Sequence, residues 1–305
     1  MKRVLVGGGF DDLRSRHIRF LAEAAKLGAV HVLLWPDERV RERAGVCKFP
    51  VEERQYLLES IRYVEQVEVL GDASGPDNLS TAQDLGGLGG LGDLGGLKGL
   101  GGLGGLRGLE TKPLQVVRAS GIWVVEAQDD TPAQRALAAA LGIDYRALSP
   151  AELAGFPTAA FDPTHLPPDR TRVLVTGCYD WFHSGHVRFF EEASQLGDLY
   201  VVAGHDANVR LLKGEGHPLF PQDERRYMVQ AIRFVTQALI SSGQGWMDAE
   251  PEVELVRPHI YAVNEDGDKP EKRRFCAEHG LEYVVLKRTP RPGLKPRSSS
   301  DLRGF

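Results

Sequence analysis

The stretch GCYDWFHSGHVRFF, residues 177–190, sets two imidazoles, His183 and His186, around Gly185, directly after the apolar run VLVT. A turn that follows a strand and opens a helix is suited to anions, because the first turn of a helix presents unpaired N–H groups and a partial positive charge. Imidazoles placed there share an anion with the backbone, and Gly185 lets that backbone come close because it has no side chain to clash. Metal binding is disfavoured, since no nearby pattern supplies a third or fourth ligand. Taken alone, a histidine pair near a turn also fits a capping or packing role. Its place after a first strand, with glycines on both sides, favours phosphate.

The chemistry needs elements to hold it, and an internal repeat shows where they are. VLVGGGFDDLRSRHIRFLAEAAKLG (4–28) overlays VLVTGCYDWFHSGHVRFFEEASQLG (173–197) at an offset of 169. FPVEERQYLLESIRYV (49–64) overlays FPQDERRYMVQAIRFV (220–235) at 171, and the block at 122–148 overlays that at 260–286 at 138. Three blocks in one order mean one domain present twice. The drop from 171 to 138 gives the first copy 33 more residues. They include the Gly-Leu-rich run at 84–110, which reads as a surface insertion with too little varied apolar surface for a core. The expected domains are 1–150 and 171–305, joined by a proline-rich linker at 151–170.

Within each copy, strand and helix patterns alternate. RVLVT, LYVVAG, HIYAV and EYVVL read as buried strands; SGHVRFFEEASQLG, PQDERRYMVQAIRFV and KPEKRRFCAEHG read as helices. The fold class is therefore α/β, two tandem Rossmann-like units with parallel sheets covered on both faces. In such sheets ligands bind beyond the carboxyl ends of the strands, and the first strand-to-helix turn is the favoured phosphate site.

Composition bounds the partners. A net charge of −5 without a polybasic face gives no support to nucleic acid, and three scattered cysteines, Cys47, Cys178 and Cys276, suggest neither a disulfide framework nor a zinc ribbon. No signal peptide or membrane-spanning run is visible, so a cytoplasmic protein without a membrane partner is expected. VLVGGGFDD at the N-terminus prompts a dinucleotide oxidoreductase as an alternative, but it lacks the Gly-x-Gly-x-x-Gly spacing.

YDWFHSGHVRFFEEASQLGD resembles the signature of the cytidylyltransferase-type nucleotidyltransferases, in which an aromatic residue and Asp precede His-x-Gly-His. GHDANVRLLKG, ERRYMVQAIRFV and RSSSDLR follow in the family's order. The resemblance implies transfer of a nucleoside monophosphate, CMP from CTP being favoured, to a small phosphorylated acceptor such as ethanolamine phosphate or glycerol 3-phosphate, with release of pyrophosphate. The alternatives are an adenylyltransferase acting on a phosphorylated cofactor precursor or sugar, and a nucleotide-binding regulatory protein without turnover. By the same resemblance His183 and His186 contact the triphosphate, Lys213 meets the α- or β-phosphate from a glycine-containing loop, and Arg225 and Arg233 bracket the phosphates. Ser298, Ser299 and Ser300 donate hydroxyls, Gly177 and Tyr179 belong to the nucleotide-binding turn, and Mg²⁺ neutralises the triphosphate.

Plainer readings stand beside these. Arg225 and Arg233 could flank a solvated helix face, Lys213 could be a surface lysine, and the serines a frayed tail. Asp180 is equally a structural acceptor for the turn, and Trp181 and Phe182 read as core. Where relatives close the site with Arg-Thr and a short spacer, RTPRPGLKPRSSS leaves Arg288, Arg291 or Arg297 as the phosphate arginine, with Arg288 preferred. YAVNEDGD replaces the Gly-Asp-Asp-like turn of relatives, so Asn264, Glu265 and Asp266 stand where base or acceptor recognition is decided. The first copy has Arg14 opposite His183, Arg16 opposite Gly185 and only His17 opposite His186. It is expected to be a disarmed partner that packs on the second copy as an internal pseudo-dimer.

Overall fold

Strands β1 (Arg3–Gly8) and β6 (Arg172–Gly177) each carry three consecutive fully buried residues, Val4–Val6 and Val173–Val175. That pattern belongs to a strand covered on both faces, as parallel sheets require. The computed structural model describes residues 2–70, 121–299 and 302, and the Gly-Leu-rich run at 84–110 lies outside them. The chain divides into two compact units, Met1–Gly155 and Phe156–Phe305.

In the first unit, β1 is followed by α1 (Ser15–Ala25), β2 (Ala29–Leu34), α2 (Asp37–Ala44), α3 (Val51–Glu59), β3 (Val64–Val69), β4 (Ile122–Glu126), α4 (Pro132–Leu141) and β5 (Asp144–Leu148). In the second, β6 is followed by α5 (Ser184–Ala193), β7 (Asp198–Ala203), α6 (Asp206–Lys213), α7 (Gln222–Gln230) and β8 (Val235–Ile240). It closes with α8 (Glu250–Val256), β9 (Ile260–Asn264), α9 (Pro270–Glu278) and β10 (Glu282–Leu286). The sheets are parallel, with orders β3-β2-β1-β4-β5 and β10-β9-β6-β7-β8. Both α3 and α7 start after a proline, with Glu52 and Glu53 or Asp223 and Glu224 in the first turn, where acidic side chains meet the positive end of the helix.

The pairing around the central strand is unequal. β6 pairs with β7 along its whole length but with β9 only at Val173–Ile260 and Leu174–Tyr261. Beyond that point β6 and β9 part, which opens a crevice at their carboxyl ends. β1 and β4 do the same after Val4–Ile122 and Leu5–Trp123. The sequential order reverses across these two strands, so each crevice is the switch point at which such sheets bind ligands.

The boundary between the units falls inside the expected linker. Its later half joins the second unit, where Phe161 and Leu166 pack on the core cluster of Leu174, Tyr200, Val202 and Tyr261, and Phe156 meets the Tyr227 ring. Among the described residues no helix is long and apolar enough to cross a membrane.

Candidate active site

The turn after β6 is shaped by two glycines. A Cβ on Gly177 would lie 2.7 Å from the Tyr179 ring, and Tyr179 itself adopts φ 55°, a left-handed conformation costly for a bulky residue. The turn thereby buries the Tyr179 ring edge-on beneath His186, with centroids 5.3 Å apart. A Cβ on Gly185 would fall 2.9 Å from the His183 ring and 3.4 Å from the Arg297 carbonyl oxygen. Gly185 thus leaves room for both an imidazole and the C-terminal segment.

His183 caps α5: its Nδ1 accepts from the Gly185 N–H at 3.1 Å. An accepting Nδ1 places the proton of the neutral ring on Nε2, which makes that atom a donor. The His186 ring stacks on it, with centroids 3.9 Å apart and planes 20° from parallel. His186 is held neutral, its pKa pulled well below the ordinary value first by burial and then by the charges of His183, Arg288 and Lys213. Its Nδ1 is buried and has no hydrogen-bond partner.

The crevice is a cavity of about 190 Å³ that brings together His183, His186, Lys213, Asn264, Lys272 and Arg288. Lys213 is not in a loop as expected; it ends α6, with Gly214 following at φ 88° to turn the chain away. Asn264 ends β9, and its buried Oδ1 has no partner, which leaves a polar atom for a ligand at the cavity wall. Asp266 pairs with Arg288 at 2.6 Å, and Arg288 also donates to the Arg297 carbonyl at 3.0 Å. Glu265 does not line the cavity; its carboxylate accepts from the Arg288 backbone N–H at 3.4 Å. Ser299 donates to the Trp181 carbonyl at 3.3 Å, and Ser298 lines an adjoining cavity of about 270 Å³ with Arg188, Lys287 and Arg291. Ser300 lies outside the described residues.

Two expected phosphate ligands are not brought to this site. The Arg225 guanidinium is 1% exposed, and four of its N–H groups donate to the carbonyls of Phe220, Cys178 and Gly204 and to Asp206 Oδ1, at 2.6–2.9 Å. Buried in this way, it does not line the cavity. Arg233 stands before β8 at the amino ends of the strands, beside Thr171 and Asp198, on the far side of the sheet from the histidines. Asp180 takes the structural alternative, since its Oδ1 accepts from the N–H groups of Leu219 and Phe220 at 2.8 and 3.0 Å, though it also borders the cavity. Trp181 and Phe182 pack on Phe220 and on His186 and Phe190.

Lys272 is the site residue that sequence reasoning passed over. It lies in the first turn of α9, where burial lowers its pKa, and its only sequence signal is the repeat, which sets Gln134 opposite it.

A cytidylyltransferase-like family model matches residues 174–288, the span from β6 to Arg288. An FAD synthase of Aciduliprofundum boonei is 36% identical over 136 residues, 44% of this chain and 84% of that protein. The chain belongs to the cytidylyltransferase-like family. Other relatives of this cytidylyltransferase-like protein include an FAD synthase of Thermococcus kodakarensis, 37% identical over 121 residues, 39% of this chain and 79% of the relative. The bifunctional protein HldE of Pelobacter propionicus is 36% identical over 98 residues, 31% of this chain and 19% of its own length. As a family member the chain is a nucleotidyltransferase, and the matched span lies wholly in the second unit.

Proposed function

We propose that the second unit transfers AMP from ATP to the phosphate of a phosphorylated cofactor precursor, with flavin mononucleotide as the acceptor and FAD as the product. The observation that carries this reading is the likeness to FAD synthases, 34–37% identical, of which the chain covers 74–84%. It moves the preference from CTP and ethanolamine phosphate or glycerol 3-phosphate to the adenylyl alternative.

In this reading an oxygen of the acceptor phosphate attacks the α-phosphorus of ATP, the bond to the bridging α–β oxygen breaks, and pyrophosphate leaves. The protein contributes position and charge more than covalent chemistry. His183 donates from Nε2, and neutral His186 stacks against it so that both imidazoles face the triphosphate. Lys213, Lys272 and Arg288 supply positive charge around the crevice, and Ser298 and Ser299 lie on the segment that passes over the turn. Asn264 offers an amide with donor and acceptor edges for base or acceptor.

Magnesium belongs to this proposal. Among the described residues no three His, Cys, Asp or Glu side chains converge on a metal position, so the donors suit an ion that enters on the triphosphate oxygens and keeps part of its water shell. When bound, such an ion neutralises charge on the triphosphate.

The test is release of pyrophosphate with each of the four nucleoside triphosphates against flavin mononucleotide, sugar phosphates, ethanolamine phosphate and glycerol 3-phosphate. ATP with flavin mononucleotide should give FAD, with kcat/KM above that for CTP by about 10²-fold. Preference for CTP would return the earlier reading, and no release from any pair would leave a binding protein.

A further inference from the structure

The first unit keeps a crevice of its own. Where β1 and β4 part, a cavity of about 330 Å³ opens at the carboxyl ends of the strands, lined by Gly8, Phe10 and His17, the counterparts of Gly177, Tyr179 and His186. Its backbone scaffold repeats that of the second unit: Phe10 adopts φ 46°, its ring meets His17 edge-on at 5.7 Å, and Asp11 accepts from the N–H groups of Lys48 and Phe49 at 2.7 and 2.9 Å. The cavity has been kept while its contents have changed.

The charge balance changes sign, because Asp11, Glu126 and Asp129 outnumber Arg16 and Arg43 here, whereas Lys213, Lys272 and Arg288 outnumber Asp180 and Asp266 in the other crevice. The three cations of the other crevice are replaced: Ala44 stands opposite Lys213, Gln134 opposite Lys272 and Pro150 opposite Arg288. Gln134 is buried with its Oε1 accepting from the Thr131 N–H at 2.8 Å, so it is committed to capping α4. Trp35 adds an aromatic ring where the second unit has Gly204, while Trp123 exchanges one buried ring for another opposite Tyr261. The Arg39 and Arg43 guanidiniums lie over the Trp35 ring at 5.0 and 5.3 Å and hold the indole in place. At the corner where the second unit has Asn264 and Gly267, the first has Glu126 and Asp129.

A polyphosphate is poorly served here, because acidic side chains outnumber the cations and Arg43 is set against Asp129 at 3.7 Å. A flat ring suits the part-exposed Trp35 indole, and a carboxylate at the end of a strand accepts well from the two hydroxyls of a ribose. Burial and the nearby Asp129 push the Glu126 carboxyl up against the opposing pull of Arg16, and Gln128 Nε2 donates to its Oε2 at 3.1 Å. The volume sits at the lower end of the range for small-molecule sites.

We propose that the crevice of the first unit is a second, non-catalytic binding site for a nucleoside without its polyphosphate, its base against Trp35 and its ribose hydroxyls on Glu126.

The full chain contains four tryptophans, and Trp35 and Trp123 are the two in the first unit. In the Trp181→Phe/Trp246→Phe chain, tryptophan fluorescence therefore reports from the first unit while adenosine, cytidine, guanosine or uridine is titrated. At least one nucleoside should saturate the signal and bind no more weakly than its own triphosphate. Glu126→Gln should weaken it about tenfold or more, because the hydroxyls lose their charged acceptor. Ala44→Trp, at an exposed position on the rim, should weaken it as well. The proposal is overturned if no nucleoside saturates the signal, if both substitutions leave binding unchanged, or if the triphosphate binds more tightly by about tenfold. Pyrophosphate release by the same proteins is followed in parallel, so failure here is separate from failure of the transfer reading.

Discussion

The Arg225 guanidinium does in the second unit what the Arg54 guanidinium does in the first. Arg54 donates to the carbonyls of Phe49, Gly9 and Trp35 and to Asp37 Oδ1; Arg225 donates to those of Phe220, Cys178 and Gly204 and to Asp206 Oδ1. Each ties the first-strand turn, the end of the second strand and the start of two helices to one buried cation. Because the first unit keeps this clasp without the histidine pair, its role is structural. Arg225→Ala should destabilise the second unit by about 3–5 kcal/mol, since it leaves Asp206 and three carbonyls without their donor. Arg54→Ala should do the same in the first unit, and Arg233→Ala should leave transfer unchanged. Denaturant unfolding followed with unit-specific tryptophans checks this; an unmoved midpoint with a raised KM for the triphosphate would return Arg225 to the phosphates.

The stacked pair makes a different prediction. His183 and His186 line the cavity, His183 capping α5 through the bond from the Gly185 N–H to its Nδ1 and His186 stacked against it. Replacing either by alanine should lower kcat/KM by about 10²–10³-fold, in line with the loss of one preorganised donor. Thermal midpoints should move little by comparison. Equal loss of folding and activity would show that the pair is packing, and unchanged pyrophosphate release would move the chemistry elsewhere.

Lys272 carries the third prediction. In the second unit it borders the cavity with a pKa lowered by burial, and the repeat puts Gln134 in its place in the first. A half-buried ammonium that costs stability in the free protein repays that cost when an anion arrives. Lys272→Gln should leave the thermal midpoint unchanged or raise it, and should raise the KM for the triphosphate about tenfold. The dependence of KM on salt should flatten, because one phosphate-facing charge is gone. A fall in stability with unchanged KM would make Lys272 a structural residue.

Much of this arrangement could be read from the repeat, and the misses have physical causes. The two parallel units, the first-turn histidines and the absence of that pair from the first copy follow from strand and helix periodicity and from one aligned turn, which are local signals. The fate of Arg225 is not local: it depends on three carbonyls brought together from separate loops, and no spacing along α7 distinguishes a guanidinium that turns inward from one that turns to solvent. Arg233 misled because two arginines eight apart suggest one helix face, whereas α7 ends at Gln230 and Arg233 falls in the turn beyond it. Asn264 was legible from its position at the end of β9, but the unpartnered Oδ1 that makes it a candidate ligand was not. Lys272 was visible only as one of four Lys and Arg residues in KPEKRRFCAEHG, and its burial singles it out.

His17, the imidazole that survives in the first unit, gives that unit a pH dependence of its own. Its Nδ1 accepts from the Arg14 N–H at 3.0 Å, and its pKa is pulled down to about 4, first by burial and then by Arg16. An unfolded histidine titrates near 6.5, so between about 6.5 and 4 the unfolded chain takes up a proton that the folded first unit refuses. The stability associated with neutral His17 is therefore fully present above about pH 6.5 and is lost as pH falls toward 4. Its size is at most about 3 kcal/mol. His17→Gln keeps an acceptor for the Arg14 N–H but cannot titrate, so it should flatten this part of the profile. The lowered pKa of His186 acts in the same direction in the second unit, so the measurement has to be the difference between wild type and His17→Gln, followed through Trp35 and Trp123 during urea unfolding at a series of pH values. Parallel profiles for the two proteins would show that His17 does not set the acid limit of the first unit.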